Sequence, residues 1–184
     1  DMRNKPLTVH ATQATLEIIQ AHIFNWAIWP DFSEIPNRDK PFMRYAETRV
    51  GKAVKVEGRE MTPLPANHTV PAVGYRIDSG EGSLVFSGDT SVCDELWKAV
   101  NKIRNLRYLI IETAFSNRER QLAIASKHLC PDMLKGELLK LQREAEIYIT
   151  HLKPGQIELT MQEIEEFIGE YKPRMLQNNQ VFDL

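Results

Sequence analysis

An apolar run that ends in a tight turn and a single carboxylate is the feature that most constrains how this chain folds. The run is Leu84-Val85-Phe86, and Ser87-Gly88-Asp89-Thr90 follows it directly. A short apolar run bounded by small residues is typical of a buried β-strand that leads into a loop. Because functional side chains concentrate on loops that a rigid scaffold positions, we expect Asp89 to stand at the tip of this strand, placed for chemistry.

Three histidines lie in comparable places elsewhere in the chain. His68 precedes a predicted strand, His151 ends another, and His128 closes the segment Ser126-Lys127-His128. Imidazole nitrogens and a carboxylate such as Asp89 are ligands that suit Zn, Mn or Fe, and one carboxylate can bridge two metal ions. A metal site and separate structural roles for these residues both stay open on spacing alone.

Hydrophobic periodicity predicts an α/β chain in which helices and strands alternate after Asp89. A hairpin of two strands, 72–78 and 83–87, is predicted before it, and later strands over 108–111 and 147–150. Glu112 ends the first of these later strands. Helices are predicted over 93–104, around 118–125 and from Pro131. Thr160 and Glu163 have the spacing of a capping box, which predicts that a final helix opens there.

The N-terminal part of the chain adds a strand and a helix to this pattern. A strand is predicted over 6–10, and Thr12 is placed to cap the helix that follows. The segment 24–32 then carries four aromatic side chains in nine residues. Large aromatic side chains at this density predict a part of the core or the wall of a pocket.

The composition argues against several classes of protein. With 184 residues, 42% hydrophobic and 26% charged, the chain matches one globular domain over residues 1–184. The formal net charge of −2 disfavours a nucleic-acid partner, and no apolar run approaches the ~20 residues of a membrane span. Cys93 and Cys130 form no CxxC pair, and we expect both to be buried structural residues.

A set of short motifs resembles one protein family in composition and in order. They are Asn-His-Thr-Val-Pro-Ala-Val-Gly-Tyr-Arg-Ile at 67–77, Phe-Ser-Gly-Asp-Thr at 86–90, Ile-Ile-Glu-Thr-Ala-Phe at 110–115, Ser-Lys-His-Leu at 126–129 and Ile-Thr-His-Leu-Lys-Pro at 149–154. The chain resembles the metallo-β-lactamase-fold phosphodiesterases, most closely the class II 3′,5′-cyclic-nucleotide phosphodiesterases, to which the aromatic segment 24–32 is also similar. The same motifs resemble those of RNase Z, the tRNA 3′-end-processing endonuclease. The resemblance implies an αββα metallo-β-lactamase-like sandwich.

The same resemblance implies roles for five residues. His68 would bind a first metal ion, His151 a second, and Asp89 would bridge the two. His128 would meet the scissile phosphate and protonate the departing oxygen, while Glu112 would orient His128. Two divalent ions, zinc before manganese or iron, would activate a hydroxide that attacks the phosphorus of a cyclic nucleotide such as cAMP.

One departure from the family pattern limits what this chain can do alone. The motif His-x-His-x-Asp-His is absent from residues 1–184, so we expect the chain to be the C-terminal portion of the fold and to be inactive as a fragment. Two alternatives stay open, an RNase Z-like tRNA 3′-end endonuclease and a degenerate, non-catalytic binding or scaffold protein. The expected partner is a small cyclic nucleotide, with no membrane. A homodimer is left open, and the expected location is the cytoplasm, with the periplasm as the alternative.

Overall fold

The computed structural model of the chain describes residues 5–184. Residues 5–52 belong to one compact unit, and Ala53–Leu184 form a second. The single domain predicted over residues 1–184 includes residues 1–4, which lie outside the described residues. The candidate site lies in the second unit.

The first unit contains a pair of parallel strands and a helix. Its elements are β1 (Leu7–Ala11), α1 (Gln13–His22) and β2 (Met43–Glu47), and β1 pairs with β2 in parallel. The predicted cap of α1 is confirmed, because the Thr12 side chain accepts a hydrogen bond from the backbone N–H of Thr15. Such a cap satisfies one of the N–H groups that a helix start leaves without an internal partner.

The aromatic segment of this unit is more exposed than its composition predicts. Trp26, Ile28 and Trp29 are 61%, 66% and 56% exposed. The side-chain oxygen of Asn25 accepts hydrogen bonds from the backbone N–H groups of Ala27 and Ile28, each at 3.0 Å, and so holds a local turn. The prediction that this segment belongs to a core is therefore wrong for these three residues.

The second unit is built on one seven-stranded sheet whose strands follow one another in chain order. The strands are β3 (Val54–Val56), β4 (Arg59–Pro65), β5 (Val73–Asp78), β6 (Ser83–Phe86), β7 (Leu106–Glu112), β8 (Glu146–Thr150) and β9 (Arg174–Met175). Pairing is antiparallel from β3 to β6 and parallel from β6 to β9. The helices are α2 (Asp94–Val100), α3 (Arg120–Ser126), α4 (Pro131–Leu138) and α5 (Ile157–Ile168), with 3₁₀ turns at Asn117–Glu119 and Gly169–Tyr171. The predicted hairpin and the later strands are confirmed, and α2 is shorter than predicted.

The central strands of this sheet are buried on both faces. Side chains of one face, such as Leu109 and Ile149, pack in the main core with residues of α2, α4 and α5. Side chains of the other face, such as Ile110 and Tyr148, form a separate cluster with Phe182 near the C-terminus of the chain. Strands covered on both faces form a rigid frame, and this frame holds the loops that leave their ends.

The predicted start of the last helix is wrong. Helix α5 begins at Ile157 after Gln156, so Thr160 lies inside the helix and its N–H donates to the Gln156 carbonyl at 2.9 Å. The Thr160 hydroxyl is buried and has no hydrogen-bond partner among the described residues. The Glu163 carboxylate accepts the N–H of Asn117 at 2.7 Å instead of closing a capping box. The carboxylate that the capping-box spacing predicts to cap a helix instead binds a distant part of the chain.

Candidate active site

The candidate residues follow the ends of four strands that point the same way. Strand β4 is antiparallel to β5, and β5 is antiparallel to β6, so β4 runs in the direction of β6, β7 and β8. His68 lies after β4, Asp89 after β6, Glu112 at the end of β7 and His151 after β8. One edge of the sheet therefore collects side chains that lie up to 83 positions apart in the sequence.

The turn after β6 needs glycine. Gly88 has a φ of 62°, a left-handed conformation that other residues rarely adopt, and a Cβ there would lie 2.8 Å from the Val73 carbonyl oxygen. Beside it, the Ser87 hydroxyl accepts the N–H of Glu112 at 3.1 Å, which ties the end of β6 to the end of β7. These contacts fix the position of Asp89 relative to the end of β6.

Glu112 is fully buried and accepts three hydrogen bonds from the surrounding loops. Its Oε1 accepts the backbone N–H of Thr90 at 2.9 Å and lies 2.7 Å from Nδ1 of His128, and its Oε2 accepts the N–H of Leu129 at 3.2 Å. Burial raises the pKa of Glu112 to about 7, and the N–H groups of Thr90 and Leu129 oppose that rise. Glu112 thus joins the loop after β6 to the segment that carries His128.

His128 is buried in the middle of the site. Its ring lies 4.8 Å from the ring of His68 and 4.9 Å from the ring of His151, and it is stacked on the latter at an interplanar angle of 17°. Phe115 contacts it edge-on, with 5.8 Å between ring centroids. Burial lowers the pKa of His128, and the neighbouring His68 lowers it further. Since Glu112 takes Nδ1, the second ring nitrogen of His128 is left for a substrate.

His68 and Lys127 hold each other. Nδ1 of the half-buried His68 lies 3.2 Å from the carbonyl oxygen of Lys127, and the ammonium of Lys127 donates to the carbonyl of His68 at 3.3 Å. His151 has a φ of 65°, so the chain turns sharply as β8 ends. The conformations of the loops therefore position His68 and His151, whose rings both pack against the ring of His128.

Asp89 and His151 bring two potential metal-ligand atoms close together. The Asp89 Oδ1 and the His151 Nδ1 lie 3.6 Å apart, and their side chains are 45% and 34% exposed. Two donors at 2.0–2.1 Å from a tetrahedral zinc ion are about 3.3 Å apart, so this pair fits one shared divalent ion. His68 is a further candidate ligand of the right type, and its ring packs against His128. No group of three or more His, Cys, Asp or Glu side chains within residues 5–184 is arranged to hold a metal ion, so further ligands are needed.

The structure thus brings together all five residues that the sequence singled out: His68, Asp89, Glu112, His128 and His151. Sequence reasoning missed the contribution of the backbone. The N–H of Thr90 and the carbonyl of Lys127 hold Glu112 and His68, respectively. Both residues lie inside the recognised motifs, next to the functional side chains, but no residue-type signal marks a backbone contact. Cys93 and Cys130 are free and buried, as expected.

The site thus lies in an α/β unit with a mixed sheet, and its histidines and carboxylates come at or after the ends of strands that run in the same direction. The chain belongs to the Beta-lactamase superfamily domain, which matches residues 1–169. A probable 3′,5′-cyclic-nucleotide phosphodiesterase from Yersinia pestis is 24% identical over 174 residues, which cover 80% of this chain and 50% of that protein. The chain thus spans about half the length of this curated relative.

Solved structures share the fold. Unliganded yeast PDE1 has a TM-score of 0.78 at 18% identity, over 96% of this chain and 60% of that one. The metallo-β-lactamase fold protein YhfI from Bacillus subtilis has a TM-score of 0.72 at 16% identity, over 98% and 67%. The short form of human tRNase Z has a TM-score of 0.57 at 14% identity, over 84% and 63%. These likenesses confirm the predicted fold class. No helix among residues 5–184 is long and apolar enough to cross a membrane.

Proposed function

We propose that the protein containing this chain is a metal-dependent phosphodiesterase that hydrolyses a 3′,5′-cyclic nucleotide. The observation that carries the proposal is the arrangement of His128. A buried carboxylate holds one nitrogen of this imidazole, and its ring packs against both histidines proposed as metal ligands. Such an arrangement places a proton donor beside a site for phosphate-binding cations.

His128 acts as the general acid in this proposal. The Glu112 carboxylate accepts the Nδ1 proton, fixes the orientation of the ring and stabilises the doubly protonated form against the burial that lowers the pKa of His128. The other nitrogen then delivers a proton to the ribose oxygen that leaves phosphorus. Glu112 touches no substrate in this scheme, because it is fully buried, and is a positioning residue.

His68, Asp89 and His151 are the proposed metal ligands of this chain. Their nitrogen and oxygen donors suit two divalent ions, with zinc as the first choice and manganese or iron as the others. When bound, such ions would lower the pKa of a water molecule and offset negative charge on the phosphoryl oxygens. The exposed fractions of Asp89 and His151 leave the site open to a small substrate.

The choice of a cyclic nucleotide rests on the motif resemblance and on the name of the Yersinia pestis relative. An RNase Z-like activity would call for an arm that holds tRNA. Between His68 and Asp89 the chain has β5, a four-residue turn over 79–82, β6 and the short connections 69–72 and 87–88, which leaves no room for an arm in that segment. The hairpin therefore favours a small substrate over tRNA.

Hydrolysis assays on the full natural protein test the proposal. We expect metal-dependent hydrolysis of cAMP or another 3′,5′-cyclic nucleotide, abolished by a chelator and restored by added Zn²⁺ or Mn²⁺. Cleavage of a precursor tRNA in place of cyclic nucleotides would support the endonuclease alternative. The absence of both activities, in protein loaded with metal, would support a non-catalytic role.

A further inference from the structure

Lys127 and His68 form a reciprocal contact between residues that lie 59 positions apart in the chain. The carbonyl oxygen of Lys127 lies 3.2 Å from Nδ1 of His68, and the side chain of Lys127 returns 3.3 Å to the carbonyl oxygen of His68. One residue thus holds both the imidazole and the main chain of a candidate metal ligand.

The first of these contacts decides which nitrogen of His68 carries the proton. A carbonyl oxygen can only accept a hydrogen bond, so Nδ1 of His68 must be the donor. In a neutral imidazole the other nitrogen then carries the lone pair. The contact therefore selects the form of His68 that can bind a cation through Nε2.

The backbone of Lys127 makes this contact possible. Lys127 caps the C-terminus of α3 with a φ of 57° and a ψ of 50°, a left-handed conformation that residues other than glycine and asparagine seldom adopt. Such conformations persist where the surrounding structure enforces them, and they cluster at functional sites. The next residue is His128, so one loop fixes the proposed ligand through its backbone and carries the proposed acid.

The side chain of Lys127 has no acidic partner among the described residues, whose ion pairs do not include it. Its ammonium group donates a hydrogen bond to the carbonyl oxygen of His68. An ammonium that donates to an uncharged main-chain group contributes to placement more than to charge balance. Through this contact and the carbonyl contact, Lys127 holds both the main chain and the imidazole ring of His68 in place.

We infer that Lys127 is a positioning residue that sets the tautomer and the orientation of His68 for metal binding. This inference rests on the proposed function, since it takes His68 to be a metal ligand. Second-layer partners of metal-binding histidines typically change metal affinity by about 10- to 100-fold. We expect the loss of the Lys127 side chain to lie at the low end of that range, because the carbonyl remains.

The test uses K127M and K127G, each of which removes the ammonium while leaving a main-chain carbonyl. Glycine also adopts the left-handed conformation without strain. The matched controls are K172M and K172G, since Lys172 is an exposed lysine with a φ of 48° that caps a 3₁₀ turn. These controls reproduce the change of residue type and of backbone preference at a distance in sequence from the site.

Two measurements are made on each protein. Long-range ¹H–¹⁵N spectra of the metal-free protein, at a pH where imidazole is neutral, should show His68 protonated at Nδ1 in the wild type and in both Lys127 variants, because the main-chain carbonyl that accepts this proton is retained. Titration with Zn²⁺ against a competing chelator should show affinity about tenfold weaker in the Lys127 variants and unchanged in the Lys172 variants.

A wild-type His68 protonated at Nε2 would overturn the inference, as would Lys127 variants that bind Zn²⁺ with the wild-type affinity. H68A separates this failure from failure of the proposed function. If H68A binds Zn²⁺ like the wild type, the ligand assignment is wrong. If H68A loses Zn²⁺ while K127M and K127G keep it, the ligand assignment stands and the role of Lys127 is wrong.

Discussion

Replacement of the buried Glu112 by glutamine should lower both the stability of the fold and the rate of catalysis, for separate reasons. The two carboxylate oxygens of Glu112 face three N–H groups, those of Thr90, His128 and Leu129. An amide offers one acceptor oxygen and an NH₂ donor. In either orientation at least one buried N–H group therefore faces the NH₂ group, and an unsatisfied buried donor costs about 1–3 kcal/mol.

The catalytic loss depends on the same geometry. When the NH₂ group faces His128, it can only donate to Nδ1, which moves the remaining proton to Nε2 and removes the charge that stabilises the doubly protonated ring. We expect kcat for a cyclic nucleotide to fall by about 10- to 100-fold, less than the 10²–10⁴ expected for loss of the acid itself. The bound metal content should not change.

Glu137 supplies the matched control, because it is the other buried glutamate among the described residues. One of its oxygens accepts from the N–H of Cys93 at 3.0 Å and from the indole of Trp97 at 2.7 Å, and its other oxygen pairs with Lys140. E137Q should also be destabilised by about 1–3 kcal/mol, through the loss of a charged partner, while kcat stays at the wild-type value. Urea unfolding measures the first effect and steady-state kinetics the second. An E112Q protein with wild-type kcat, or E112Q and E137Q proteins with equal losses of kcat, would refute this reasoning.

Four further substitutions test the proposed ligands and the frame of the site. H68A and H151A should each lower the metal bound by the full natural protein, measured by elemental analysis, and unchanged metal in both would show that these histidines are structural. G88A should destabilise the fold by more than about 1 kcal/mol in urea unfolding, since alanine is strained at a φ of 62° and its Cβ would approach Val73; a variant as stable as the wild type would contradict the described turn. T160V should leave the free energy of unfolding equal or raise it by about 1 kcal/mol, because it removes a buried hydroxyl without a partner; a clear loss would show that the hydroxyl has a partner.

The sequence predicts the frame of the site well, for a physical reason. Strands β6, β7 and β8 each contain a short continuous apolar run because both faces of the sheet are covered, and such runs are easy to find. Each run ends at a polar residue, and Asp89, Glu112 and His151 each lie within three residues of the last apolar residue of a run. The gathering of these side chains at one edge then follows from strand direction.

Other features depend on contacts that no local pattern contains. The Thr160 and Glu163 pair has the spacing of a cap, but the segment that starts at Gln156 begins the helix earlier and Asn117 takes the carboxylate. The exposure of Trp26 is likewise invisible in composition, because aromatic residues are counted as core formers. The contact between His68 and Lys127 uses the main-chain carbonyl of Lys127, which every residue type has. The identity of residue 127 therefore gives no sign of this contact in the sequence.

The proposed mechanism requires His128 to give a proton to the leaving oxygen. The most direct measurement compares H128A with the wild type on two substrates, a 3′,5′-cyclic nucleotide and a nitrophenyl phosphodiester, in protein of known metal content. An alkoxide leaving group needs a proton and a nitrophenolate does not. We expect unchanged metal content and a fall in kcat of about 10²–10⁴ for the cyclic nucleotide, with a much smaller fall for the nitrophenyl ester. Equal losses on both substrates would contradict it and would show that His128 binds the phosphate instead.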